Sequence, residues 1–456
     1  MGRSLLARIE RLASVASFTW RAPNPSLLVA DRLEIAPGEL VLSTTGGTMP
    51  QKLLADAARS IQAGTVEVVG IVGAEAMHSR GLTQRDPATP RTPWTRQDLA
   101  LTPAPIRFGT ERPPLSDLEI ARGVTIPVEI YPLLENAHRA RMGWTLDEHR
   151  RIVGALWSSF SEVAATNEHA WLTAPMAADD ITRASAHNRM IAEPYTKLMV
   201  ANLPVDMGAA LLLCSLEAAR AAGVDEDRLV FPQAHAFADD HFFVSDRPEL
   251  DRSVAVECAG AAVLAATNID VDAIEHVDLY SCFPVAVEIG AAGLGLALDD
   301  PARPLTVTGG LTFAGGPGNN YVSHSLATMA QTLRSAPGAV GVVTGLSYFS
   351  SSHSVGLYST TPPRRPFVSE DLQTTVDATP TQLVDPAMTG EVEVETYTIV
   401  HDRDGLATRA TLAVRDAAGA RSWGQLTDVD ELAELAGTEL CGRRGVLDDA
   451  GIVTLR

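Results

Sequence analysis

The sequence predicts an α/β protein made of two related halves and followed by a small all-β domain. Three observations carry that expectation. Residues 44–75 (TTGGTMPQKLLADAARSIQAGTVEVVGIVGAE) and residues 308–348 (a GG pair, then GGPGNNYVSHSLATMAQTLRSAPGAVGVVTGLSY) repeat one plan of glycine loop, helix, short Gly-containing turn and Val-rich strand. The valines at 66, 68 and 69 and at 340, 342 and 343 form short apolar runs, the mark of parallel strands covered on both faces. Beyond Pro362, Pro363 and Pro366 the helical rhythm stops, and residues 391–400 (EVEVETYTIV) alternate strictly.

The helices follow from spacing. Leu53, Leu54, Ala57, Ala58 and Ile61 share one face of the first, and Leu326, Met329, Ala330 and Leu333 share one face of the second. Two related units bring their helix N-termini towards a common axis, so the glycine loops at Gly46 and Gly315 are expected to face one ligand. Residues 309–325 (GGLTFAGGPGNNYVSHS) are the most informative stretch, because a helix N-terminus offers unpaired N–H groups and partial positive charge to an anion or an oxyanion.

Between the halves, residues from about 87 to 190 are rich in Pro, Arg and Trp and read as an inserted lobe. Within it TLDE at 145–148 makes a capping box for a helix whose Ile152, Val153, Leu156, Trp157, Phe160 and Val163 form one apolar stripe, read as core. Residues 197–213 read as a loop and a buried strand re-entering the main fold. The expected boundaries are 1–225 for the first half, 226–362 for the second and 363–456 for the β domain. The strands at 391–400, 406–415 and 421–426 suit a small barrel of the oligonucleotide-binding shape.

Composition narrows the function. The 456 residues carry 36 basic and 56 acidic side chains, a formal charge of −20, which repels phosphate backbones and anionic lipid. Residues 391–456 hold 13 acidic and 7 basic residues, a net −6, so the barrel is expected to contact protein or act as a lid rather than to bind nucleic acid. Cys214, Cys258, Cys282 and Cys441 form no CxxC pair and suit reduced thiols in a cytoplasm. Arg8, Glu10 and Arg11 interrupt the apolar N-terminal residues, unlike the core of a signal peptide, and no segment reaches the roughly 18 apolar residues of a membrane span.

These motifs together resemble the thiolase superfamily, in particular the sterol-carrier-protein thiolases and the actinobacterial thiolase-like proteins with an additional C-terminal barrel. The similarity rests on GGTMPQ with its helix and strand, the IQAG, VEVV and VGAEAM segments, the lobe, YSCF at 280–283, the GG and GGPG loops and VVTG at 342–345. It implies a duplicated thiolase fold of α/β/α/β/α layers, a coenzyme A thioester as substrate or ligand, no permanently bound cofactor, no metal, and acetyl-CoA acetyltransferase chemistry.

The family positions are largely altered. The nucleophilic cysteine falls at about Gly47; Thr45 or Thr48 offers a hydroxyl there, with no adjacent base. The family's GHP loop matches Gly315-Gly316-Pro317, so Gly316 replaces the histidine, with Asn319, Asn320 and His324 near. Its HDCF motif matches Tyr280-Ser281-Cys282-Phe283, retaining Cys282, an acid/base position by resemblance, and putting Tyr280 in place of the histidine. Its CxG motif matches Val343-Thr344-Gly345, and His353 follows just beyond. The expected pocket is therefore Gly47, Thr48, Gly315, Gly316, Asn319 and Asn320 for binding, with Tyr280, Cys282, His324 and His353 as catalytic candidates.

Two alternatives stand beside the acetyltransferase: an aldolase that cleaves a β-hydroxyacyl-CoA through Tyr280, and a non-catalytic acyl-CoA-binding or scaffold protein. His235, Asp239, Asp240 and His241 have a spacing that a metal-binding loop uses, although such histidines are commoner as surface residues. Arg91, Arg96, Arg107 and Arg112 are candidates for coenzyme A phosphates. The family also begins with a strand before the segment matching residues 7–20, so this chain is expected either to start late or to have an incomplete first sheet.

Overall fold

The computed structural model describes residues 5–20, 22–86 and 104–456; Arg91 and Arg96 lie outside the described residues. The first half lays down β1 (Arg11–Ser14), β2 (Glu39–Ser43), helix α1 (Met49–Gln62), β3 (Val68–Ala76) and β4 (Ile106–Phe108). The lobe follows with α2 (Pro127–Met142), α3 (Leu146–Thr166), β5 (Met190–Ala192) and β6 (Tyr195–Thr196), and β7 (Asp206–Cys214) returns to the first half. The second half contains β8 (Phe231–Asp239), α4 (Val254–Thr267), β9 (Ile274–Asp278), α5 (Pro284–Leu294), α6 (Tyr321–Ser335), β10 (Val340–Ser347), β11 (Ser352–Ser359) and β12 (Val368–Asp371). The last part contains β13 (Gly390–His401), β14 (Ala407–Arg415), β15 (Arg421–Leu426), β16 (Arg444–Leu447) and β17 (Val453–Leu455).

Strand pairing bears out the duplication. The first sheet runs β4-β2-β1-β3-β7 and the second β12-β8-β11-β10-β9. In each, the Val-rich strand lies between a parallel and an antiparallel neighbour: β3 between β1 and β7, β10 between β9 and β11. Helices α1 and α6 pack against each other in the middle layer. Their predicted faces are buried at Leu53, Leu54 and Ala57 and at Leu326, Met329 and Leu333. Gln51 binds the halves together: its amide donates to the Val343 carbonyl (2.9 Å) and to Tyr358 Oη (3.1 Å), and accepts from Ser354 Oγ (2.6 Å).

Two expectations fail here. The first sheet is not incomplete, because β1, a segment whose charges hide its strand character, occupies the centre. Leu12, Ala13 and Ser14 are buried, while Arg11 pairs with Glu39 (2.5 Å) and Asp56 (2.9 Å) at the strand's end. Nor is β7 a buried strand. It is an edge strand of alternating exposure, antiparallel to β3, and among the described residues no further strand lies beyond it in the sheet.

The lobe helix α3 begins with the expected capping box at Thr145 and Glu148, and Val153, Leu156, Trp157 and Phe160 of its stripe are buried. The C-terminal strands order as β15-β14-β13-β16-β17, a curled sheet whose ends touch at one bridge, Gln425 to Ile452, without the ladder of a closed barrel. Strand β5 of the lobe pairs with β13, and β12, just after the prolines, pairs with β8. Arg421, fully buried, ties this sheet to the second half by pairing with Glu395 (2.7 Å) and donating to the carbonyl of Ser245 (3.0 Å) and to that of Arg247. Among the described residues no helix is long and apolar enough to cross a membrane.

Candidate functional site

The two glycine loops do meet. The N–H of Gly46 donates to Asn319 Oδ1 (3.0 Å), and the other end of that amide donates to the Ala16 carbonyl (2.8 Å). Thr48, the N-cap of α1, donates its N–H to Ser347 Oγ (3.0 Å), and the two hydroxyls share a further bond of 2.9 Å. Tyr348 Oη donates to the Thr45 carbonyl (3.0 Å). Side chains of the second half thus take up N–H groups that the helix end would otherwise offer to an anion, and Pro50 contributes none.

The second loop is satisfied in the same way. Asp278, buried at the end of β9, accepts from Thr306 Oγ1 (2.8 Å), the N–H groups of Val307 and Thr308 (2.9 and 3.2 Å) and Tyr321 Oη (3.2 Å). The N–H groups of Gly309, Gly310 and Leu311 go to the hydroxyls of Thr306, Thr308 and Ser281. The N–H of Gly316 donates to the Asn202 carbonyl (3.0 Å). A Cβ at Gly315 or Gly316 would meet residues 201–207, so this triplet packs on the segment returning from the lobe.

Gly47 is the decisive position. A Cβ built there would fall well inside 3.0 Å of the Leu346 carbonyl oxygen and 2.9 Å from Tyr280 Oη. The place of a side chain at the head of α1 is therefore filled by that carbonyl and by the tyrosine that follows β9. Thr344 Oγ1 holds that tyrosine's N–H (2.9 Å), and its ring stands edge-on to Tyr321, centroids 5.4 Å apart. Among the described residues the Tyr280 hydroxyl has no hydrogen-bond partner. Burial, with Cys282 beside it, raises its pKa far above that of a free phenol.

Cys282 lies against Tyr131 of α2, a residue that sequence reasoning missed. Tyr131 Oη donates to the Tyr348 carbonyl (3.1 Å) and accepts the Ser350 N–H (3.0 Å). His353 Nε2 in turn lies 3.2 Å from Ser350 Oγ and 3.1 Å from the Ser350 carbonyl, so Cys282 and His353 sit at the two ends of one polar chain. Tyr348 and Ser350 hold left-handed backbone, at φ 58° and 60°, in the β10–β11 turn. Burial pushes the Cys282 thiol up to about 12 and the His353 imidazole down to about 4, so both are neutral at ordinary pH.

His324 and Asn320 do not join this group. Asn320 Nδ2 lies 3.3 Å from His324 Nε2, and the asparagine's amide oxygen, buried without a partner, packs on Gly73 of β3. Burial, aided by His169, lowers the His324 imidazole to about 4. The histidine and aspartate set at 235–241 does not converge either: His235 Nδ1 meets Ser369 Oγ (2.9 Å) and His241 Nε2 meets Thr379 Oγ1 (3.0 Å). Arg107 pairs with Glu111 (2.8 Å), and Arg112 covers the Phe242 ring at 3.5 Å.

Comparison with known proteins fits this frame. Residues 371–451 match the family described as the thiolase-like protein type 1 additional C-terminal domain. No curated protein sequence matches the chain. A solved aldolase described as Ltp2-ChsH2(DUF35) aligns with a TM-score of 0.56 at 17% identity, over 77% of this chain and 87% of its own. The dimeric peroxisomal thiolase of Saccharomyces cerevisiae aligns at 0.54 and 14% identity, over 78% and 86%. Both share the fold. A monomeric SCP2-thiolase-like protein type 1 from Mycobacterium smegmatis aligns at 0.84 and 30% identity over 100% of this chain and 91% of its own. The chain belongs to this family, the SCP2-thiolase-like proteins of type 1.

Proposed function

We propose that the protein handles an acyl-CoA thioester by non-covalent acid–base chemistry, as a carbon–carbon lyase acting on a β-hydroxyacyl thioester, with Tyr280 as its proton-donating group. The observation that carries this reading is the Tyr280 hydroxyl at the head of α1, beside the place of a Gly47 side chain and without a hydrogen-bond partner among the described residues. An acetyltransferase of the thiolase kind needs a thiolate at that place, and Cys282, pushed up to about 12, does not supply one.

In the lyase reaction a base takes the β-hydroxyl proton and the Cα–Cβ bond breaks. Its electron pair passes to the thioester as an enolate, and reprotonation at Cα leaves a shorter thioester and a carbonyl product. A neutral phenol suits the enolate half: Tyr280 donates to the developing oxyanion in a setting that holds few other free donors. Those internally satisfied N–H groups also favour a second reading, a thioester-binding protein without turnover.

Purified protein incubated with acyl-, β-ketoacyl- and β-hydroxyacyl-CoA separates these readings. Cleavage of the β-hydroxyacyl thioester without an adduct in the intact mass, lost in Tyr280→Phe and kept in Cys282→Ala, is the expected result. Because the Tyr280 hydroxyl has no hydrogen-bond partner among the described residues, Tyr280→Phe is expected to unfold within about 0.5 kcal/mol of wild type. A covalent acyl adduct restores the transferase, binding without turnover supports the second reading, and no thioester binding at all removes both.

A further inference from the structure

We propose that Glu135, His149 and Glu288 form a binding site for a divalent transition-metal ion, with zinc the natural occupant. The three come from α2, α3 and α5, are buried, and place one ligand atom each within 4.8 Å of one another. A tetrahedral ion with bonds of about 2.0–2.2 Å holds its ligand atoms about 3.3–3.6 Å apart, so small side-chain movements complete the site.

Unpartnered atoms point the same way. Both carboxylate oxygens of Glu288 are buried and accept no hydrogen bond from an N–H or hydroxyl donor, and His138 Nε2, 3.8 Å from Glu288 Oε2, is likewise buried without a donor or acceptor beside it. The surrounding groups are fixed. His149 Nε2 lies 2.5 Å from Glu135 Oε1, Tyr195 Oη donates to Glu135 Oε2, and His138 Nδ1 lies 3.3 Å from Asp251 Oδ2, which also pairs with Arg141. Two buried carboxylates side by side need a compensating charge or proton. A divalent ion bound by two carboxylates and one imidazole, with a fourth position left for water, is electrically balanced, and an N/O donor set of this kind suits zinc and its first-row neighbours.

A cavity of about 640 Å³ beside the α2–α3 turn and residues 437–441 is lined by Trp144. That ring lies 5.6 Å from His138 and 6.5 Å from His149. The site would pin the lobe to α5, whose N-terminal residues follow directly on Tyr280 and Cys282.

The test uses the full chain, stripped with a chelator, dialysed against Zn²⁺ or Co²⁺ and freed of loose ion. Expected are about one retained ion per chain, a tetrahedral Co²⁺ absorption spectrum, and a rise in thermal midpoint with either ion. Glu288→Gln mimics the protonated acid and is expected to fold but to lose ion, spectrum and thermal shift; His149→Gln is a second variant should the first fold poorly. No retained ion in wild type, or equal retention in both variants, overturns the proposal. Glu288 is then a protonated acid sharing its proton with Glu135.

Discussion

Restoring the family's nucleophile by Gly47→Cys tests the account of the site most directly. The substitution adds a Cβ that meets the Leu346 carbonyl well inside 3.0 Å and Tyr280 Oη at 2.9 Å. The tyrosine can swing away. The carbonyl belongs to β10, hydrogen-bonded between β9 and β11, and moves only if the sheet moves. Overpacking in a well-packed core costs about 1–3 kcal/mol, and rigid backbone on one side of the clash puts Gly47→Cys at the upper end, about 3 kcal/mol. The assay is urea unfolding of wild type, Gly47→Ala, Gly47→Cys and Gly47→Cys/Tyr280→Ala, with acyl-CoA labelling of the cysteine read by intact mass. Gly47→Ala is expected to lose nearly as much as Gly47→Cys, because the clash lies at Cβ. The double variant should recover only part of the loss and should remain unlabelled. If Gly47→Ala is as stable as wild type, or Gly47→Cys takes an acyl group efficiently, the filled-site argument is wrong.

Two further results follow from the packing. His235, His324 and His353 are held by burial at about 3, 4 and 4, below the ordinary imidazole value of 6.5. The unfolded chain therefore binds more protons than the folded one between those values. Stability should fall as pH drops from about 6.5 to about 4, less steeply in a His324→Gln/His353→Gln double variant, and an unchanged slope in urea titrations would refute the assignment. Arg421→Ala leaves Glu395 facing fewer cations and the Ser245 and Arg247 carbonyls without their donor. It should cost about 3–5 kcal/mol, read as loss of the C-terminal sheet's protection in hydrogen exchange, and undiminished protection would show that the contact is dispensable.

The fold was legible where periodicity is strong. Helix spacing in α1 and α6, valines in β3 and β10, the capping box of α3 and the proline break each reflect local physics that a single segment displays. Strand β1 was not legible, because it is only four residues long and starts at Arg11 in a charged segment with Arg8 and Glu10; the two arginines are paired in the fold with Glu67, Glu39 and Asp56. The meeting of the glycine loops was foreseeable from the duplication, but the use of their N–H groups was not. Asn319 and Ser347, which consume two of them, come from the other half of the chain. Tyr131 looks like any residue of a buried helix, and Glu135, His149 and Glu288 converge only through tertiary packing.

The altered catalytic positions are coupled rather than independent losses. Gly47 has no room for a side chain because the Leu346 carbonyl and Tyr280 both stand beside it, and Tyr280 can lie so close because the position is glycine. Thr344, at the family's CxG motif, holds the tyrosine's N–H, and Ser347, three residues on, caps α1. A residue reverted alone therefore meets three partners shaped for its absence, which is the behaviour expected when neighbouring substitutions share contacts. The same coupling explains how a site can lose its nucleophile and yet stay closely packed. The space of the missing side chain is shared by the Leu346 carbonyl and a phenol, and on the proposed lyase reading the proton on that phenol is the group that would act.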